Sequence, residues 1–154
     1  MARPNRGKQF EEQFATDWKR TFPGTFFLRL RDNVSRYKGN SNNPCDFLCM
    51  PRDKLFMIET KAHYENRFPF SDLPQYDSLV SFRHCKNVQP AAVIWFIDYD
   101  KVLYFPIETL MKMRENGLKS INLRHLTHDE YDYIEIPSEK LRVKMRSDYS
   151  ILIV

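Results

Sequence analysis

A mixed α/β domain, with a central sheet and helices packed on it, is predicted by two observations on this 154-residue chain. Aromatic residues recur at helical spacing near the start. Alternating or wholly apolar runs of strand length then follow, interrupted by two further helical patterns. The length suits one core, and 42% hydrophobic with 14% aromatic residues is enough to fill it. A single domain over residues 1–154 is the expectation.

In GKQFEEQFATDWKR, residues 7–20, Phe10, Phe14 and Trp18 recur every four residues and Ala15 joins them, which predicts a helix. Pro23 and Gly24 punctuate its end. In FFLRLR, residues 26–31, Phe27, Arg29 and Arg31 alternate with Phe26, Leu28 and Leu30. That predicts a strand whose arginines form either a solvent face or a phosphate track. A polar, glycine-containing loop follows, with Arg36 and Lys38 in it. CDFLCM, the turn PRDK and LFMIETKA then predict a hairpin. Its second strand is nearly all apolar before its charges, so it belongs near the centre of the sheet.

HYENRFPFSDLP reads as an extended, proline-punctuated loop, and QYDSLVSFRHC as a helix with Tyr76, Leu79, Val80 and Phe82 near one face. AAVIWFIDY is the most hydrophobic run and predicts a buried strand with Trp95 in the core. KVLYFPI predicts its neighbour across a short turn. PIETLMKMRENG predicts a helix with Pro106 near its start and Gly117 as its stop. The remainder reads as short strands and turns, with no internal repeat and no low-complexity tract.

No apolar run approaches the ~20 residues a membrane helix needs. The basic start has no apolar stretch behind it, so no secretory signal is expected and the chain is read as cytoplasmic. Net charge is +4. The first 31 residues are rich in lysine and arginine, and Arg142, Lys144 and Arg146 add to them near the end. A basic surface beside an acidic site suits a protein that handles phosphodiesters, although this charge balance alone selects no partner. The three cysteines, without a secretory signal, are expected as thiols. Cys45 and Cys49 lie about 13 Å apart if both belong to one strand. That spacing argues against a shared zinc ion.

The chemistry is concentrated in residues 43–63. Along LFMIETK the strand period puts Leu55, Met57, Glu59 and Lys61 on one face, and Phe56, Ile58 and Thr60 on the other. A hairpin across PRDK can bring Asp46 beside Glu59. Two carboxylates suit a hard cation such as magnesium, and the lysine can position or help deprotonate an attacking water. On a projection of ~100° per residue, Glu11 lies beside the stripe of Phe14, Ala15 and Trp18, whereas Glu12 points away. Glu11 can therefore face the sheet as a further metal ligand or a base. His63 and His84 lack a partner at metal spacing and are read as surface or DNA-side residues.

Pro44, Asp46, Glu59 and Lys61, as PCD…ETK, resemble the PD-(D/E)xK nuclease signature, with one residue inserted between the proline and the aspartate. GKQFEEQF, NPCDFL, ETKAH…FPFSDLPQYDSL, AAVIWFI, LYFPIETL and LKSIN follow in the order seen in RecU-type Holliday junction resolvases, most closely the short RecU-like proteins of phages. The similarity spans residues 7–122. It implies a restriction-endonuclease-like core and a magnesium-dependent homodimer, with manganese as a substitute ion. The implied activity is symmetric cutting of four-way DNA junctions in recombination, with a recombinase as a further candidate partner. A phage-encoded member would act in a bacterial host cell.

The resemblance carries the helix glutamate onto Glu11, the metal carboxylates onto Asp46 and Glu59, the lysine onto Lys61 and a glutamine onto Gln75. It also carries a metal-binding backbone carbonyl onto Thr60. A junction-contacting loop falls at residues 33–43, where Arg36, Tyr37 and Lys38 are available for phosphate contact or stacking. Lys8, Arg29 and Arg31 are the other DNA-binding candidates. The chain departs from bacterial members at NPC, where they carry hydroxyl residues, and at Pro74, where they carry histidine. Their basic N-terminal segment is also longer. A general PD-(D/E)xK nuclease and a junction-binding protein without cleavage are the alternative readings.

Overall fold

The computed structural model describes residues 4–31 and 43–153. Arg36, Tyr37 and Lys38, and all of the expected junction loop except Asn43, lie outside the described residues.

Helix α1 (Arg6–Thr21) forms where the aromatic spacing predicts it. The side chain of Asn5 accepts from the Lys8 backbone N–H at 3.0 Å, satisfying one of the donors that a helix start leaves open. Phe10, Phe14 and Trp18 are buried. Each such ring contributes roughly 1.5–3 kcal/mol when removed from water. Gly24, at φ +73°, then turns the chain into the sheet through a conformation that favours glycine.

The strands in chain order are β1 (Phe26–Arg29), β2 (Phe47–Met50), β3 (Leu55–His63), β4 (Arg67–Pro69), β5 (Val88–Phe96), β6 (Lys101–Pro106), β7 (Ser120–Asn122), β8 (Ile134–Glu135), β9 (Ser138–Lys140) and β10 (Met145–Ser147). Six of them make a central sheet in the order β1-β2-β3-β5-β6-β8. Neighbours are antiparallel except β3 and β5, which are parallel. A parallel pair needs a long crossover. Residues 64–87 supply it, carrying β4, a 3-10 turn at Phe70–Asp72 and helix α2 (Tyr76–Ser81). Helix α3 (Ile107–Glu115) follows β6 and stops before Gly117, at φ +84°.

The sheet is covered on both faces. On one, Phe47, Ile58, Val93, Trp95 and Tyr104 pack with Phe14 and Trp18 of α1 and with Tyr149 from the C-terminal tail. On the other, Met57, Ile94, Phe96, Leu103 and Phe105 pack with Leu79 of α2, Leu110 of α3, and Phe68 and Ile121 from the β4–β7 ribbon. Strand β3 therefore sends alternate side chains into two cores, as its period of two requires. Among the described residues no helix is long and apolar enough to cross a membrane.

Three local readings are corrected. The stretch expected as a loop after His63 contains β4, paired antiparallel with β7. A three-residue strand is too short to show a period, and its partner lies more than fifty residues away. Helix α2 is only six residues long, and Phe82, expected on its packed face, is 37% exposed. In β1 Phe26 and Leu28 are the outward side chains, 53% and 46% exposed, while Phe27 and Arg29 face the core side. Arg29 turns toward α1 instead of solvent, because α1 covers that face and supplies a carboxylate there.

Candidate active site

The hairpin register builds the site. Strands β2 and β3 pair with Phe47 opposite Ile58 and Leu48 opposite Met57. One step further in that register sets Asp46 against Glu59, and the Asp46 N–H donates to the Ile58 carbonyl at 3.0 Å. The carboxylate of Asp46 is fixed by Thr60, whose backbone N–H and hydroxyl both donate to Oδ2, at 2.9 and 2.8 Å.

Glu59 is 2% exposed. Its Oε1 lies 3.9 Å from Nζ of Lys61, a side chain that remains partly open to solvent. Its Oε2 is buried with no hydrogen-bond donor. Burial holds the Glu59 carboxyl well above the ordinary range. The charge of Asp46 and a hydrogen bond shared with it act the same way, and Glu11 adds a little more, while Lys61 pulls in the opposite direction. The bond between the two carboxyls exists only while one of them is protonated. With both ionised, Oε2 faces a negative neighbour and no donor, which is costly at this depth. These oxygens fit a hard divalent cation. Two carboxylates and an adjacent backbone carbonyl at Thr60 are the donor types such ions take, and the bare Oε2 is the atom a cation would satisfy.

Glu11 is half-buried on α1 and Glu12 is exposed, as the helical projection requires. Arg29 clasps Glu11, with Nη2 and Nε at 3.1 and 3.2 Å from the same Oε1. Its guanidinium also stands 5.9 Å from the Phe47 ring centroid. Glu11 thus comes within electrostatic reach of Glu59. Among the described residues, however, no group of three or more His, Cys, Asp or Glu side chains gathers to hold one metal ion. Glu11 does not complete a three-carboxylate cage in this arrangement. Gln75 sits at the start of α2, half-buried, with its Oε1 enclosed and given no donor. Lys8 and Arg31 are exposed.

One contributor was missed by sequence reasoning. Thr60 entered only through its carbonyl, yet its hydroxyl orients Asp46; a hydroxyl residue between the glutamate and the lysine was the available signal. Cys45 adjoins the acids, its Sγ bonded to the Phe47 carbonyl at 3.4 Å. Burial, then the charges of Glu59 and Asp46, push its thiol up to about 12. It stays protonated and is a poor metal ligand.

No protein-family model matches the chain, and no curated protein does. Among solved structures, Hjc of Archaeoglobus fulgidus, a Holliday junction resolvase from an archaeal hyperthermophile, superposes with a TM-score of 0.51 and 18% sequence identity, over 84% of this chain and 88% of that chain. At this identity the likeness concerns the fold: the chain has a central mixed β-sheet flanked by helices, the α/β architecture of that resolvase's nuclease core.

Proposed function

We propose that the chain is a structure-selective DNA endonuclease that resolves four-way junctions by phosphodiester hydrolysis, with a divalent cation, magnesium or manganese, held at Asp46 and Glu59. The observation that carries this reading is the pairing of half-buried Asp46 with buried Glu59, with Lys61 beside them, on a fold shared with a junction resolvase. A protein that only bound DNA would gain nothing from two carboxylates set where phosphates must approach, since they repel the backbone.

In this reading Asp46 and Glu59 would hold the ion, with the carbonyl of Thr60 as a third oxygen, while the Thr60 hydroxyl fixes the Asp46 carboxylate. A bound divalent cation polarises the phosphoryl oxygens and makes water a better nucleophile near neutral pH. Lys61 presents its ammonium to the scissile phosphate, orients the attacking water and offsets the negative charge that builds up there. Glu11, tied to Arg29, and Gln75 complete the rim. The ordered resemblance to RecU-type resolvases supports the junction as substrate and a homodimer as the working unit, because paired cuts need two sites related by a two-fold axis. A recombinase partner is a further element of that reading.

The test uses one synthetic four-way junction and a linear duplex of matched sequence. Each is incubated with wild-type protein and with E59Q, in magnesium and in EDTA. Paired nicks on the junction alone, lost with EDTA and with E59Q, are expected. Equal cutting of both substrates points to a general nuclease, and tight junction binding with no cutting points to a binding protein.

A further inference from the structure

We propose that the groove along the β4–β7 ribbon binds the phosphate backbone of the DNA arm that leaves the Asp46/Glu59 site, an inference that rests on the nuclease reading above. The ribbon pairs Arg67 with Asn122, Phe68 with Ile121 and Pro69 with Ser120. Phe68 and Ile121 are both 1% exposed and point into the core. By the strand period, Arg67, Ser120 and Asn122 are turned the other way. They line a groove of about 420 Å³ together with Lys119 and His125.

The charge of this groove is one-sided. Among the described residues that line it there is no carboxylate. Arg67, Lys119 and His125 are all exposed and form no ion pair with a described residue. Three cationic or protonatable side chains with nothing negative among them, joined by the amide of Asn122 and the hydroxyl of Ser120, match an anionic backbone, and these groups are the usual phosphate contacts of DNA-binding proteins.

The ribbon that forms the groove is also tied to the strand that carries the site. His63 follows Glu59 and Lys61 on the same face of β3, and its ring Nε2 donates to the carbonyl of Arg67. The ring is further held edge-on against Phe68 and Phe96. His63 lies about 13 Å beyond Glu59 along the strand. That is about four nucleotide steps of a duplex at ~3.4 Å each. A backbone engaged at Lys61 and running toward the C-terminal end of β3 would meet the ribbon at Arg67, whose exposed side chain lines the groove.

The experiment measures junction binding in EDTA as a function of salt for wild-type protein, for R67Q/K119Q and for K54Q/K86Q. The last pair removes the same charge at the opposite end of the sheet, beside the backbone bond from Leu55 to Asn87. All four side chains are exposed, so both variants should melt like wild type. Two lost phosphate contacts should lower the slope of log K against log[salt] by about 2. R67Q/K119Q is expected to show that loss and K54Q/K86Q to keep the wild-type slope. In parallel, a junction with neutral methylphosphonates along one arm should weaken wild-type binding and leave R67Q/K119Q little affected. A wild-type slope in R67Q/K119Q, equal losses in the two variants, or equal sensitivity to the methylphosphonates would overturn the proposal. If wild-type protein cuts the junction while R67Q/K119Q binds normally, the groove alone is refuted. If wild-type protein neither binds nor cuts it, the nuclease reading falls as well.

Discussion

Thr60 donates twice to one oxygen of Asp46, through its backbone N–H at 2.9 Å and its hydroxyl at 2.8 Å. Asp46 is thereby fixed from the neighbouring strand, with the orientation of its carboxylate set before any ligand arrives. Groups that orient metal-binding side chains typically influence affinity or activity about 10–100-fold. T60V keeps the N–H and the shape but removes the hydroxyl. It should lower single-turnover junction cleavage about tenfold and shift the magnesium titration to higher concentration, while T60S retains most of the rate. An unchanged magnesium titration in T60V would show that the backbone bond alone suffices.

Glu59 predicts a coupling between pH, metal and stability. In the fold its carboxyl sits above the ordinary range, chiefly through burial and then through Asp46. Folding therefore takes up a proton once the pH exceeds the value for an unfolded glutamate. The stability this group contributes is complete below that ordinary value and is lost as pH rises toward the raised one. Metal-free protein should accordingly melt at lower temperature at pH ~8.5 than at pH ~5.5, and magnesium should raise the melting temperature more at the higher pH. Thermal melts at both pH values, with and without magnesium, check both signs.

E59Q separates catalysis from stability. Glutamine keeps the shape, carries no charge and can donate to Asp46, so the repulsion between the acids is gone. Cleavage should fall to background while the metal-free variant melts above wild type at pH ~8.5, by about 2–4 °C for each kcal/mol relieved in a chain of this size. The pH dependence of its melting temperature should be flatter than that of wild type. A variant that lost activity and melted lower would indicate that Glu59 is held by interactions other than those seen around its buried Oε2.

What the sequence made legible was whatever repeats locally. Phe10, Phe14 and Trp18 mark α1 by their spacing, and the turn PRDK between two apolar runs marks the hairpin that carries Asp46 to Glu59. Glu11 was separable from Glu12 because helical geometry alone decides which of them faces the sheet. What stayed hidden depends on distant partners. Strand β4 exists because β7 pairs with it, and three residues carry no period of their own. In β1 the direction of Arg29 was open until α1 supplied Glu11 on that side. The Thr60 hydroxyl bonds across to the neighbouring strand, a partner that only the strand register reveals.

The ion pair of Arg29 and Glu11 should matter little to folding. Both side chains are about a quarter exposed, and pairs of this kind contribute under about 1 kcal/mol. R29A and E11Q should each move the melting temperature by less than about 3 °C. A double-mutant cycle should return a coupling energy below about 1 kcal/mol. Cleavage should be more sensitive than stability, because removing Arg29 takes a cation away from beside Glu11, which lies within electrostatic reach of Glu59. A loss of stability well beyond that range would mean instead that Arg29 fastens α1 to β1.

Asp17 should behave in the opposite way, with a large effect on stability and none on chemistry. It is 1% exposed in the middle of α1 and accepts from the Gln13 amide at 2.8 Å, from Arg20 at 2.8 Å and from the Ser147 backbone N–H at 2.9 Å. The last bond ties the helix to β10, and Arg20 reinforces it by donating to the Ser147 carbonyl at 3.0 Å. D17A would leave a buried N–H without an acceptor and Arg20 without its carboxylate. Stranding such groups costs about 2–3 kcal/mol. The melting temperature should fall by roughly 5–10 °C. Junction cleavage per folded molecule, measured well below that transition, should equal wild type, because none of these contacts involves Asp46, Glu59 or Lys61. If D17A lost cleavage while still folded, the tie between α1 and β10 would have to be setting the position of Glu11 on the same helix.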